Sequence, residues 1–346
     1  MRVLDALEPQ VHGGSSGHRN ADAEYLDGSV LDRDLLGSAL DGADAVVHLA
    51  AQVGVGQSMY EMERYVRDNC VGTAVLMEEL ASRRDALSAL VVASSMSIYG
   101  EGLYACDGCG IEDPDVVRTE EALKGRRWEP VCAHCGTPVR PLPTPERKRL
   151  RSDSVYATTK RDQEDLCLVA GRAYGIRTVA LRFFNVYGPR QSLSNPYTGV
   201  AAIFSSRLLN DERPLVFEDG RQSRDFIHVS DIVQAIELAL EREDADGLAL
   251  NVGTGRSTTV LDVAEELGRA LGREIEPEVV NRFRHGDIRH CYADISAARE
   301  ALGYEPRVRF ADGMAELGAW IAEEAPPAED RVARSTAELE ERGLVI

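Results

Sequence analysis

Tyr156 and Lys160 stand four residues apart in Ser154-Val155-Tyr156-Ala157-Thr158-Thr159-Lys160, a spacing that puts both side chains on one helix face. An ammonium so placed favours the phenolate, which free tyrosine reaches only at a pH of about 10. Upstream, Ser94-Ser95-Met96-Ser97-Ile98-Tyr99-Gly100 follows the apolar run Leu87 to Ala93. That run reads as a buried strand, so Ser95 falls at its carboxyl end, where α/β proteins hold ligands. A hydroxyl there can hold a substrate oxygen against the phenol. The trio suits proton transfer to and from an alcohol while a hydride leaves its carbon. Tyr-x-x-x-Lys alone is weak, since both residues are ordinary on helix surfaces. Lys160 gains weight as one of only three lysines, with Lys124 and Lys148, in an arginine-rich chain.

A second constellation lies between Ser95 and Tyr156. Cys106-Asp107-Gly108-Cys109-Gly110 and Cys132-Ala133-His134-Cys135-Gly136 are two knuckles whose four thiolates match a tetrahedral zinc site. Each glycine lets the backbone turn tightly toward the sulfurs. Four cysteines leave no open coordination position, so such a zinc is structural rather than catalytic. Disulfides or reduced thiols are the alternatives. His134 sits inside a knuckle as a bystander. Cys70, Cys167 and Cys291 are scattered and read as buried or inert thiols.

The elements that must position these groups follow from apolar periodicity. Strands are expected at Arg2–Asp5, Ala45–Leu49, Leu87–Ala93 and Arg177–Phe183. Helices are expected over Met59–Ser82, Ser154–Tyr174, Val229–Leu240 and Thr259–Leu271. Their alternation argues for a parallel, doubly wound sheet. After about Asn185 the pattern breaks into short strands, loops and helices. Past Pro326-Pro327 a charged amphipathic segment reads as a terminal helix or frayed tail.

At 346 residues the chain can bury a full core in one large or two modest domains. No apolar run approaches the ~20 residues of a membrane span, and the first residues lack a signal peptide's basic and apolar regions. A cytoplasmic location is therefore expected. The net charge of −19 argues against nucleic acid or an anionic membrane as the main partner. An anionic substrate would need local basic residues, for which Arg224, Arg284 and Arg289 are candidates.

Several separate stretches carry a resemblance. They are Val3-Leu4-Asp5, His48-Leu49-Ala50-Ala51, Asn69 with Gly72-Thr73, Ser95 with Tyr99-Gly100, and Tyr156 with Lys160. Beyond them come Leu181 to Pro189, Arg224-Asp225-Phe226-Ile227-His228-Val229, Asn251-Val252-Gly253 and Arg284-His285-Gly286-Asp287. In this order they resemble the extended short-chain dehydrogenase/reductases, in their nucleotide-sugar epimerase/dehydratase group.

The resemblance implies a Rossmann-like α/β fold: an NAD-binding domain over residues 1–185, interrupted at 103–150 by the zinc-binding insertion. A smaller, interleaved substrate lobe spans 186–325, and a tail spans 326–346. It implies NAD held by Asp5, Leu49, Ala50, Ala51, Asn69, Tyr156, Lys160 and Phe183. Asp5 sits where the family places a carboxylate on the adenosine ribose. For a nucleoside-diphosphate sugar it implies Ser95, Asn185 and Asp287, with Arg224 and Arg284 on the diphosphate and Phe217 near the base. A homodimer through a two-helix face containing the Tyr156 helix is also implied.

Members of the family open with a strand, a glycine-rich turn and a helix that hold the NAD pyrophosphate. Here the sequence opens at what matches the second strand, and the expectation is a start placed downstream of that unit. The polypeptide as written is then expected to bind NAD poorly. The glycines of His12-Gly13-Gly14-Ser15-Ser16-Gly17 follow Asp5 rather than precede it and read as a loop. Ser29 stands where the family usually has an aspartate near the adenine.

Three chemistries fit the resemblance: 4-epimerisation, 4,6-dehydration and net reduction. Dehydratases of this group follow the catalytic Ser/Thr with an Asp-Glu pair, and this chain has Met96 and Ser97, which cannot serve as that acid and base. An epimerase needs only the hydride machinery. Leu7 to Gly13, Val53 to Ser58 and the cysteine insertion together most resemble the branch that 4-epimerises dTDP-L-rhamnose. A UDP-glucose-type substrate, a net 4-reductase, and a silent family member that binds nucleotide sugar remain as alternatives.

Overall fold

Seven consecutive buried residues, Ala89–Ser95, form the strand around which the chain is built. The computed structural model describes residues 1–12, 18–193, 195–197, 199–323 and 330–345. Strands β1 (Arg2–Asp5) and β2 (Glu24–Asp27) pair in parallel with each other. Strands β3 (Ala45–His48), β4 (Ala89–Ser95), β5 (Thr178–Phe183) and β6 (Ala249–Val252) form a parallel sheet in the order β6-β5-β4-β3. Alternation along the strands sends Val91, Val179 and Leu181 to one face and Leu90, Val92 and Ala180 to the other. Helices cover both faces. Ile232, Ala235 and Leu302 pack on the first, and Leu36, Leu80 and Cys167 on the second. Burial on both sides explains the near-continuous apolar run of β4.

The four expected strands are present, with β4 running two residues further, through Ser95. The expected helix over Met59–Ser82 starts at Met62 and contains a π-helical stretch, Val66–Val71, before α1 (Gly72–Ser82). The wider turn carries the fully buried Asn69. The Tyr156 helix, α2 (Val155–Tyr174), begins at an N-cap, Ser154, whose hydroxyl accepts from the Ala157 N–H. It ends at Gly175 with φ of 69°, a left-handed cap that glycine adopts freely. Residues 13–17, expected to form a loop, lie outside the described residues.

Beyond β5 a second core gathers Phe204 of α3 (Val200–Leu209) with Val216, Phe226, Leu267 and Leu317. The cysteine-bearing insertion folds on its own antiparallel strands. Leu103–Cys106 lies between Ile111–Glu112 and Arg140–Leu142, and Val116–Val117 pairs with Val131–Cys132. The terminal segment is a helix, α4 (Val332–Glu341), with Val332, Ser335 and Leu339 buried. No helix is long and apolar enough to cross a membrane among the described residues.

Candidate active site

Parallel pairing puts Ser95, the last residue of β4, opposite Phe183 of β5 at the carboxyl edge of the sheet. Its hydroxyl accepts from the Ser97 N–H at 3.2 Å and hydrogen-bonds the Ser97 hydroxyl at 2.9 Å. Tyr156, in the first turn of α2, reaches the same point. Its backbone N–H donates to Ser58 Oγ at 3.0 Å, and its ring meets the fully buried Tyr65 edge-on at 6.5 Å. Burial pushes the Tyr156 phenol up, and a hydrogen bond with Ser95 pulls it back. The Ser95 hydroxyl and the Tyr156 phenol thus face the same point at the end of β4.

Lys160 lies one turn below and is 4% exposed. Its ammonium donates to Gln163 Oε1 at 2.8 Å. Gln163 is anchored in turn: its amide nitrogen donates to Thr73 Oγ1 at 2.8 Å and approaches His48 Nε2 at 3.2 Å. Burial brings Lys160 down to about 8, and the same burial, with the Lys160 charge, brings His48 to about 3. His48 is therefore a neutral hydrogen-bonding strut. Gln163 and His48 were not among the expected site residues. Gln163 follows Lys160 by three on the same helix face, the spacing that could have found it.

The expected cofactor residues divide by exposure. The Asp5 carboxylate is 49% exposed, with Oδ1 accepting from the Leu7 N–H at 2.7 Å and lying 3.8 Å from His12 Nε2. Leu49 is 53% exposed and its neighbours Val47 and Val53 are exposed too, an apolar ledge beside β3. Asn69 has no accessible surface left. Its side chain accepts from the Gln52 N–H at 2.6 Å and donates to the Gln52 carbonyl and to Thr159 Oγ1. It clamps the Ala50–Gln52 turn to α2, so its part in holding a cofactor is indirect. Ser29 is also occupied, its hydroxyl accepting from the Leu31 N–H at 3.2 Å. The half-exposed Asp5 carboxylate and the exposed Leu49 are groups left open to a dinucleotide, with Tyr156 and Lys160 on α2.

A cleft of ≈ 290 Å³ runs from Met96, Ser97 and Ser154 toward the second core and contains Asn185, Phe217, Arg224, Arg284 and Asp287. The Asn185 Oδ1 and Gln222 Oε1 atoms are buried without a partner, two acceptors suited to ligand N–H or O–H groups. Arg224 donates to the carbonyls of Ser223, Ile288 and Arg289, which fixes its guanidinium against the wall. Arg289, expected as a substrate contact, is fully buried instead. It pairs with Glu218 at 2.8 Å, Asp219 at 2.7 Å and Glu129 at 2.5 Å. A desolvated guanidinium saturated by three carboxylates cannot also serve a ligand.

The far wall of the cleft is supplied by α4 and the residues after it, through Val332, Thr336, Leu339 and Leu344. Leu339 packs against Gly56, and Glu338 accepts from Tyr197 at 3.0 Å and Tyr60 at 3.3 Å. The 332/336/339 spacing is a helical stripe that marks these residues in the sequence.

The four knuckle sulfurs lie within 4.8 Å of one another, with Cys106–Cys135 at 3.3 Å and Cys109–Cys132 at 3.8 Å. A tetrahedron with zinc–sulfur arms of about 2.3 Å has edges of about 3.8 Å, so the donor set fits one zinc ion. Each knuckle closes identically, Gly110 N–H on the Cys106 carbonyl and Gly136 N–H on the Cys132 carbonyl, both at 2.8 Å. Both glycines have φ near +70° (70° and 72°). Cys167 and Cys291 are buried, as expected, and Cys70 is half-buried beside Asp162.

The pattern of the NAD dependent epimerase/dehydratase family matches residues 2–119 and 132–253. The dTDP-L-rhamnose 4-epimerase of Burkholderia thailandensis is 33% identical over 330 residues, 93% of this chain and 88% of that protein. Among solved structures, the UDP-N-acetylglucosamine 4-epimerase of Methanobrevibacter ruminantium in complex with UDP-N-acetylmuramic acid superposes with a TM-score of 0.74. It is 27% identical and covers 94% of this chain and 91% of its own. The Bacillus cereus UDP-glucuronic acid 4-epimerase in complex with UDP-glucuronic acid and NAD gives 0.71 at 26% identity, covering 88% and 83%. Likeness of this extent, through the sheet and the second core alike, makes the chain a member of the NAD dependent epimerase/dehydratase family.

Proposed function

We propose that the protein 4-epimerises a nucleoside-diphosphate sugar with NAD, and that dTDP-L-rhamnose or a close relative is the substrate. The observation that carries the reading is the placing of Ser95 at the carboxyl end of β4 and of Tyr156 and the buried Lys160 four residues apart on α2, with no carboxylate at Met96 or Ser97. Bound NAD would supply the acceptor and donor of the hydride. Tyr156 takes the C4 hydroxyl proton and later returns it. Ser95 holds the C4 oxygen against the phenol, and the Lys160 ammonium favours the phenolate. Asp5, Leu49, Ala50, Ala51 and Phe183 border the cofactor, with Asn69 holding their turn in place. Arg224 and Arg284 hold the diphosphate, for which forked guanidinium donors are suited, Phe217 lies near the base, and Asn185 and Asp287 make further substrate contacts. Without the Asp-Glu pair that dehydratases of the group carry after the catalytic Ser/Thr, dehydration is disfavoured and the keto sugar is re-reduced on either face.

The similarity to the Burkholderia enzyme favours dTDP-L-rhamnose, and UDP-glucose is the second candidate. One structural zinc ion is assigned to Cys106, Cys109, Cys132 and Cys135. Exposed Met62, Val66, Val71, Leu166 and Val169, on the 62–82 helix and α2, favour a homodimer through that face. Reduced zinc thiolates suit the cytoplasm. The test is to incubate the purified protein with NAD and either sugar nucleotide and follow C4 configuration by proton NMR. Inversion without net NADH release supports the reading, and loss in Tyr156→Phe locates it. Stoichiometric NADH with no inverted sugar would replace epimerase by dehydrogenase.

A further inference from the structure

Arg118 lies on the cysteine-bearing insertion, yet its guanidinium is the point where four segments meet. Its side chain is 8% exposed. Nε donates to the Trp128 carbonyl at 3.0 Å, within the insertion itself. Nη1 donates to the Asp287 carbonyl at 3.0 Å and lies 3.6 Å from Glu101, and Nη2 donates to Glu218. Asp287, Arg284 and Phe217 all line the cleft, and Glu218 directly follows Phe217.

Glu218 is itself held in an unfavourable conformation. Its φ is 52°, a left-handed backbone rarely adopted by residues other than glycine, and it is 3% exposed. Such a residue persists where its surroundings over-determine it. Here Arg118 and Arg289 grip its carboxylate, and its N–H donates to the Arg282 carbonyl at 2.7 Å. Fixing Glu218 fixes the preceding Phe217, over which Arg284 stacks.

We propose that Arg118 is a positioning residue for the nucleotide-diphosphate site, through which the metal-knuckle insertion sets substrate affinity. It touches no reacting atom. By bridging Glu218 and the Asp287 carbonyl it holds the Phe217 ring and the Arg284 guanidinium stacked on it in register at the edge of the cleft, and a rigid planar fork is needed for that geometry. The inference rests on the substrate reading given above. The insertion brings Arg118 there because its two knuckles fix the strand pair Val116–Val117 and Val131–Cys132 on either side of Trp128.

The test is calorimetric titration of the full chain and of Arg118→Ala and Arg118→Lys with dTDP and with UDP. Metal content per chain and tryptophan emission, which Trp128 reports from inside the insertion, check that each variant is folded. The expected result is a loss of nucleotide affinity of about tenfold or more in both variants. In turnover, KM rises by a similar factor while kcat holds, and metal content is unchanged. Should Arg118→Ala fail to fold, Arg118→Lys carries the test alone, since it keeps the charge and loses the bridge. Affinity within about twofold of the parent in Arg118→Lys overturns the bridging role. A parent protein that binds neither dTDP nor UDP overturns the substrate reading itself and the inference with it.

Discussion

The Arg284 guanidinium carbon sits 4.6 Å from the centroid of the Phe217 ring, while its Nε donates to Asp287 at 2.8 Å. The stack aligns a planar cation beside the cleft, with its remaining donors free of Asp287. Phe217→Ala removes the platform and is expected to weaken dTDP or UDP binding by about 1 kcal/mol, roughly fivefold. KM rises accordingly, and kcat stays near its parent value because no reacting atom is touched. Calorimetry and steady-state kinetics check this; an unchanged affinity would separate Phe217 from the nucleotide.

His48 gives a pH dependence with a definite sign. It is 4% exposed, with its ring against Thr73 Oγ1 at 2.8 Å, and its folded-state value falls from 6.5 to about 3, chiefly through burial. Between those values the unfolded chain holds a proton that the folded chain excludes. Stability therefore falls as the pH drops from 6.5 toward 3 and is unaffected by this group above 6.5. Urea midpoints measured from pH 7 to pH 4 should decline less steeply in His48→Asn than in the parent. Parallel declines would mean that other groups carry the acid sensitivity.

The grouping of Ser95, Tyr156 and Lys160 at one end of the sheet was legible because it depends on local order. A four-residue spacing on a helix, an apolar run ending in serine and a repeated C-x-x-C-G are all short patterns. What stayed hidden depends on partners distant along the chain. Arg289 looked available for an anionic ligand, yet Glu129, Glu218 and Asp219 saturate it from segments 160, 71 and 70 residues away. Asn69 looked like a cofactor contact and is spent on Gln52 and Thr159. The helix from Val332 read only as a terminal helix or tail, because its amphipathic stripe does not say what it packs against, and Gly56 lies far along the chain.

The cysteine tetrad makes a stoichiometric prediction. Protein purified without chelator should carry one zinc ion per chain, and Cys106→Ser or Cys132→Ser should lose it, since each removes a buried ligand. The small core of Tyr104, Cys106, Cys132 and Val139 is too slight to hold the insertion by itself. Limited proteolysis should therefore cut between residues 103 and 150 in the variants and leave the parent intact. Intact resistance in a zinc-free variant would show that the ion is dispensable.

Leu339 joins the terminal helix to the segment around Gly56. It is 6% exposed, its methyls lie 3.4 Å from where a Gly56 side chain would begin, and it lines the cleft. The same segment reaches the 282–287 loop: the His285 N–H donates to the Leu344 carbonyl at 3.0 Å, and Arg282 pairs with Glu340 at 2.5 Å. Leu339→Ala opens the wall and is expected to cost about 2 kcal/mol of stability through the cavity it leaves. It should also relax discrimination among sugars, because a widened apolar wall rejects a larger group less strongly. Leu339→Phe acts in the opposite sense, narrowing the cleft and raising KM most for the bulkiest sugar. Ratios of kcat/KM for dTDP-L-rhamnose against UDP-glucose and UDP-N-acetylglucosamine read the effect directly. Ratios that do not move in either variant would confine the terminal helix to a packing role.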